Sequence, residues 1–232
     1  IGPDRMVAML LHDLPERTQD YLKVLWDLSE HLGGQAVPLK QIAQRTGQKV
    51  PTASEAVKRL ASQGLVHHER YAGVSLPKEG KALAMGMVRR HRLLETFLVQ
   101  ELGYTWDEVH ADADLLEHAC SDRFIERLDA HLGSPTRDPH GDPIPDAQGV
   151  IDVLEGGTLD SAPVDVPLII QRVCDEDSEL LRYLDRCGIG VGDEVVVATR
   201  IAGLVEVRHG ADEFSLAEVA ARDVTVRPAH PV

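Results

Sequence analysis

Apolar positions fall into two regimes along the chain. They keep helical spacing up to about residue 132, then give way to short alternating or continuous apolar runs beyond residue 163. Tyr21, Leu22, Leu25, Leu28 and Leu32 recur three and four apart, which predicts a helix over 17–31, stopped by Gly33-Gly34. A short second helix is expected over 39–45. A third is expected over 51–63, with Pro51 in its first turn and Gly64 just past its last. Ala56, Val57 and Leu60 give that helix a buried stripe. Residues 65–76 read as two short strands around a turn near Ala72-Gly73.

Three helices followed by a small hairpin is the order of a winged helix-turn-helix. In that arrangement 51–63 is the recognition helix and enters the major groove with its N-terminal end. Lys49, Pro51, Thr52, Ser54 and Glu55 lie at that end, with Lys58 and Arg59 one turn on. Hydroxyls there suit phosphates or base edges, and the cations suit phosphates. A protein-binding winged helix has the same pattern.

Further helices are expected over 77–102, 106–119 and 122–132. Residues 134–148 are rich in Pro, Gly and Asp and read as a loop. Strands are expected over 164–173, 194–198, 203–207 and 222–226, with a helix inserted at 177–186, and a compact β-barrel fits them. The expected fold is mainly α with a small β part. Its domains are a winged helix-turn-helix (1–76), a helical domain (77–148), a linker (149–162) and a β domain (163–232).

The net charge of −14 argues at first against nucleic acid. Its distribution changes that: residues 1–92 carry a net +5 and residues 93–232 a net −19. Phosphate contacts depend on local cations, so the DNA end is expected before residue 93. Cys120, Cys174 and Cys187 form no CxxC pair, which points to a reducing cytoplasm. No apolar run approaches the roughly 20 residues that span a bilayer, so no membrane is expected. Residues 1–14 lack a basic start and a small-residue cleavage site and read as a loose leader.

Candidate chemistry lies after the wing. His91 and Glu95 are four apart, and His110, Asp114, Glu117 and His118 follow at i, i+4, i+7 and i+8 on the helix expected over 106–119. One such residue is commonplace on a solvated helix face. Six at helical spacing point to a metal, because converging carboxylates need a cationic partner. Oxygen donors with a minority of imidazole suit Mn(II) or Fe(II), and Co(II) or Zn(II) can substitute. A metal-dependent hydrolase is the rival reading, but neither a separate nucleophile nor a phosphate loop accompanies these residues.

The segments Arg90-His91-Arg92-Leu93-Leu94-Glu95, Val109-His110, Leu116-Glu117-His118 and Ser121-Asp122 resemble the diphtheria toxin repressor family of metal-dependent regulators, as does Pro139-His140-Gly141-Asp142-Pro143-Ile144-Pro145. The resemblance spans roughly residues 17–226. It implies a winged helix, a helical dimerisation region and a C-terminal SH3-like domain. It maps a primary metal site onto Asp20, Asp114, Glu117 and His118, and an ancillary site onto His91, Glu95 and His110. Glu176 and Glu179 fall where iron-responsive members take ligands from the SH3-like domain.

Iron-responsive members place Met and Cys at the positions of Asp20 and Asp114, whereas manganese-responsive members use carboxylates there. The chain therefore resembles a manganese regulator, with Fe(II) as the alternative. Short binuclear members carry a second acid where this chain has Lys23, which favours two separated sites.

The implied function is a metal-activated repressor and not an enzyme, acting as a homodimer on a palindromic operator. Asp20 lies on the first helix and the other primary ligands lie far along the chain. Converging carboxylates are expected to repel without metal, so that metal binding selects the head spacing that fits two half-sites.

Overall fold

The computed structural model describes residues 11–69 and 72–230. The leader reading for residues 1–10, and Arg70-Tyr71 of the wing, lie outside the described residues. The chain divides into two units.

The first unit runs to His91 and adds Glu117–Ile125 and Pro145–Val150. It contains α1 (Glu16–His31), α2 (Leu39–Arg45), α3 (Val50–Ser62), β1 (His67–Glu69), β2 (Gly73–Ser75) and the first part of α4 (Lys78–Leu102). Pro15 caps α1 because its fixed φ suits entry into a helix. The spacing read from the sequence does its work here. Tyr21, Leu22 and Leu25 of α1, Ile42 of α2, and Val57 and Leu60 of α3 form one core with Val74 and Met87. Each fully buried leucine contributes about 1.5–3 kcal/mol. The wing is small: β1 and β2 pair antiparallel, His67 opposite Ser75, and Val37 bridges to Val74 as a third element. Leu11 and Leu14, at the edge of the expected leader, are buried in this core.

Gly80 marks a close approach inside this unit. A Cβ there would stand 2.0 Å from the Leu65 carbonyl oxygen, so only glycine lets α4 pass the end of the α3 segment.

The second unit takes the rest of α4, α5 (Val109–Leu116), most of α6 (Asp122–His131), the 126–144 segment and 151–232. Its sheet comprises β3 (Gly157–Thr158), β4 (Pro167–Val173), β5 (Glu194–Ile201), β6 (Leu204–His209), β7 (Asp212–Ala217) and β8 (Val224–Pro228), in the order β3-β8-β4-β5-β6-β7. All neighbours pair antiparallel, with bulges in the β4–β8 and β5–β6 pairs that bend the sheet. Helix α7 (Ser178–Arg186) closes over the sheet. Leu181 and Leu184 join Leu168, Ile170, Val195, Val197, Val205 and Val224 in a second core. Asp177 caps α7 by accepting from the backbone N–H groups of Glu179 and Leu180, both at 3.0 Å. A last short helix, α8 (Glu218–Ala221), follows β7.

Two expectations are corrected. The helix expected over 106–119 is shorter. It ends at Leu116, and Glu117, His118 and Ala119 form the turn beyond it. The four candidate ligands therefore do not share one helix face. Second, β3 and β7 escaped the sequence pattern. β3 has only two residues, and β7 reads Asp-Glu-Phe-Ser-Leu-Ala, largely polar because it lies at the sheet edge.

Candidate metal centres

In the first unit, helix α1 presents Gln19, Asp20 and Lys23 within one turn. The turn after α5 supplies Glu117 and His118, and α4 supplies His91. His118 Nε2 lies 3.0 Å from Asp20 Oδ1 and 3.7 Å from Glu117 Oε1. One donor atom from each of Asp20, Glu117 and His118 lies within 4.8 Å of the others. Glu117 is 1% exposed and does not stand uncompensated. Lys23 Nζ donates to both of its oxygens, at 2.8 and 2.9 Å. His91 Nδ1 lies 2.6 Å from Glu117 Oε2 and 3.3 Å from Lys23 Nζ. The repulsion expected among converging carboxylates is thus offset by a resident ammonium.

The second unit gathers another donor set. His110 Nδ1 lies 3.1 Å from Glu95 Oε1 and 3.2 Å from Asp175 Oδ2, and its Nε2 is 3.6 Å from Asp114. The bonds to Asp175 and Glu95 push the His110 imidazole up to about 10. Deeper in, donor atoms of Glu95, Asp138 and His140 lie within 4.8 Å of one another, and all three residues are buried. His140 Nε2 donates to the Trp106 carbonyl oxygen at 2.6 Å, and the two rings stack. Its Nδ1 is buried, lies 3.8 Å from Glu95 Oε2 and has no hydrogen-bond partner among the described residues. Burial, with Asp142 and Glu95 beside it, pushes the Asp138 carboxyl well above the usual carboxylate range.

The loop that carries these residues is pressed against β4. Gly141 has φ +90°, and a Cβ there would meet the Gln171 carbonyl oxygen at 2.0 Å. Val173 N–H donates to the His140 carbonyl at 2.9 Å, so the end of β4 and the His140 backbone are fixed together. That register delivers Asp175 to His110.

The donor chemistry of both sets fits a divalent first-row ion: carboxylates and imidazoles, with an orphaned buried imidazole nitrogen in the second. No thiol enters either set. Burial pushes the Cys174 thiol up to about 11 and raises that of Cys120, so both stay protonated.

Asp20, Glu117 and His118, grouped by the resemblance, lie together in the structure. Asp114 stands beside His110, and His91 stands beside Glu117 and Lys23. Glu176 and Glu179 are exposed, and it is the adjacent Asp175 whose carboxylate reaches His110. Sequence reasoning missed Asp175, Asp138, His140 and Gln19. The Pro139–Pro145 motif did carry a signal, since a histidine and an acid sit inside it.

Lys49, which precedes α3, and Pro51, Thr52, Glu55, Lys58 and Arg59 on it are exposed and Ser54 is half-buried, while Ala53, Val57 and Leu60 face the core. Lys58 Nζ pairs with Glu55 Oε1 at 2.7 Å. A surface cleft of about 410 Å³ beside this helix end is lined by Arg17, Tyr21, Gln48, Thr52, Glu55 and Arg59, among others.

Comparison with known proteins agrees with this architecture. Residues 13–74 match the iron dependent repressor N-terminal DNA binding domain. Residues 78–146 match the iron dependent repressor metal binding and dimerisation domain, and 157–228 match the FeoA domain. The chain is 32% identical over 211 residues to the iron-dependent repressor IdeR of Mycobacterium leprae (strain TN), covering 84% of this chain and 89% of that protein. It is also 32% identical over 232 residues to the diphtheria toxin repressor of Corynebacterium efficiens, covering 93% and 97%. A solved manganese-dependent transcriptional repressor in complex with manganese superposes with a TM-score of 0.85 at 42% identity, covering 91% of this chain and 99% of that one.

The chain belongs to the diphtheria toxin repressor family of metal-dependent transcriptional repressors, with DNA-binding, dimerisation and SH3-like FeoA domains. The family is one of DNA-binding regulators and not of enzymes. Among the described residues, no helix is long and apolar enough to cross a membrane.

Proposed function

We propose that this repressor is activated by Mn(II), held at two centres per subunit, and that it binds a palindromic operator as a homodimer. The observation that carries the reading is the convergence of Asp20, Glu117 and His118 within 4.8 Å. Asp20 shares α1 with Leu22 and Leu25, the core against which α2 and α3 pack. Whatever holds Asp20 therefore also holds the helix that aims α3 at DNA. When bound, the ion supplies the positive charge that these acceptors share. The first centre takes Asp20, Glu117 and His118, with Asp114 added by the family resemblance.

The second centre takes Glu95, His110 and Asp175, with His140 Nδ1 as the orphaned imidazole donor and Asp138 behind it. His91, assigned to this centre by the resemblance, precedes Glu95 by one turn of α4. Glu176 and Glu179, which the resemblance also offers, follow Asp175 and are exposed.

Hard oxygen donors at positions 20 and 114 favour Mn(II) over softer metals. Fe(II) is the second reading, favoured by the iron-dependent repressors among the relatives. Leu102 and Leu115, 57% and 76% exposed, offer apolar surface for self-association. An isologous dimer presents two α3 helices to half-sites about 34–36 Å apart, which makes the operator palindromic. Lys49, Pro51, Thr52, Ser54, Glu55, Lys58 and Arg59 form the reading edge. The working location is the cytoplasm, where DNA and the metal pool meet.

The test is operator binding measured in parallel with Mn(II), Fe(II), Co(II) and Zn(II) at controlled free-metal concentrations. Activation by Mn(II) within its cellular range supports the proposal. Activation by Fe(II) but not Mn(II) replaces it with the iron reading.

A further inference from the structure

Gln19 sits beside the first centre and is 3% exposed. Its amide nitrogen donates twice, to the Leu11 carbonyl oxygen at 3.1 Å and to the Leu14 carbonyl oxygen at 2.8 Å. Carbonyl oxygens only accept, so these two bonds fix which end of the amide is nitrogen. The remaining end, Oε1, lies 2.9 Å from His118 Nδ1. An amide oxygen also only accepts, so Nδ1 must carry the hydrogen. In a neutral imidazole the lone pair then belongs to Nε2. Nε2 is the nitrogen that faces Asp20 at 3.0 Å and Glu117 at 3.7 Å.

We propose that Gln19 is a positioning residue: it holds His118 in the Nδ1–H tautomer and aims the Nε2 lone pair at the space shared with Asp20 and Glu117. The Leu11 and Leu14 carbonyls select which end of the amide faces the ring. The inference rests on the first centre proposed above. The competing role is packing, in which Gln19 ties down the turn and the ring is incidental.

Two variants separate these roles. Gln19→Glu keeps an acceptor for Nδ1–H and loses both donors to the turn. Gln19→Met fills the space and removes both functions. The first readout is the ring-nitrogen NMR of His118 in metal-free protein, followed upward in pH until the ring is neutral. The second is the Mn(II) affinity of the first centre.

The wild type is expected to show the Nδ1–H tautomer, Gln19→Glu to retain it, and Gln19→Met to lose it or mix it. Gln19→Met should bind Mn(II) about 10–100-fold more weakly, the usual cost of removing such an outer partner. Gln19→Glu should stay within about 3-fold of wild type, since its acceptor is kept. An Nε2–H tautomer in the wild type overturns the proposal. So does an unchanged Mn(II) affinity in Gln19→Met, or a loss in Gln19→Glu as large as in Gln19→Met. Failure of the metal reading is distinct: Asp20→Ala would then leave the affinity unchanged, while the tautomer measurement still decides what Gln19 does to the ring. If Gln19→Met does not fold, the wild-type tautomer and Gln19→Glu decide between the roles.

Discussion

Lys23 donates to both carboxylate oxygens of Glu117, at 2.8 and 2.9 Å, and the pair is enclosed: Lys23 is 12% exposed and Glu117 1%. The ammonium is the resident counter-charge of an acid that also faces the first centre. Lys23→Met leaves Glu117 buried with less compensation, and breaking such a pair costs about 3–5 kcal/mol. Thermal unfolding in a chelator should show a lowered Tm for Lys23→Met, and saturating Mn(II) should recover part of the loss. An equal Tm for variant and wild type in chelator would show that Lys23 carries no such role.

The His110 imidazole, raised to about 10 by Asp175 and Glu95, sets a pH dependence. A raised folded-state pKa stabilises the fold fully below the unfolded value near 6.5, and the gain is lost as pH rises through about 10. In metal-free protein, the stability difference between wild type and His110→Asn should therefore be largest near pH 6 and shrink towards pH 10. Mn(II) must displace that proton, so affinity at the second centre should rise over the same window. Denaturant titrations at a series of pH values check the first statement. A difference that widens with pH would reverse the assigned sign.

His140 has one nitrogen committed to Trp106 and one orphaned beside Glu95. His140→Ala should lose the second equivalent of Mn(II) while keeping the first. Calorimetric stoichiometry, with Asp20→Ala as the complementary variant, measures this. Retention of both equivalents would remove His140 from the donor set.

Gly80 should not tolerate a methyl group, because its Cβ would stand 2.0 Å from the Leu65 carbonyl oxygen. Overpacking of this kind costs about 1–3 kcal/mol. Gly80→Ala should unfold at lower denaturant than wild type with an unchanged slope. An unchanged midpoint would mean that α4 shifts at no cost.

The helices of the first unit were legible because each buries one stripe: the spacing of Tyr21, Leu22 and Leu25, and of Val57 and Leu60, is a local signal. The end of α5 at Leu116 was not. His110, Asp114, Glu117 and His118 fit one helix face, and nothing in their spacing shows that Glu117 and His118 leave it. Asp175 and His140 escaped for a different reason. They meet Glu95 and His110 only through the pairing of the 138–144 loop with β4, a long-range contact with no periodic trace. Gln19 was invisible as a functional residue because its role lies in two backbone carbonyls.

The central claim is that Asp20, on the helix that supports α3, is a metal ligand through which operator binding is controlled. Its most direct test is a titration of operator DNA at fixed protein and varied free Mn(II), wild type against Asp20→Ala. The wild type should bind in a steep Mn(II)-dependent step, and Asp20→Ala should need about 100-fold more Mn(II) or fail to respond. Identical Mn(II) dependence in the two proteins would contradict the claim.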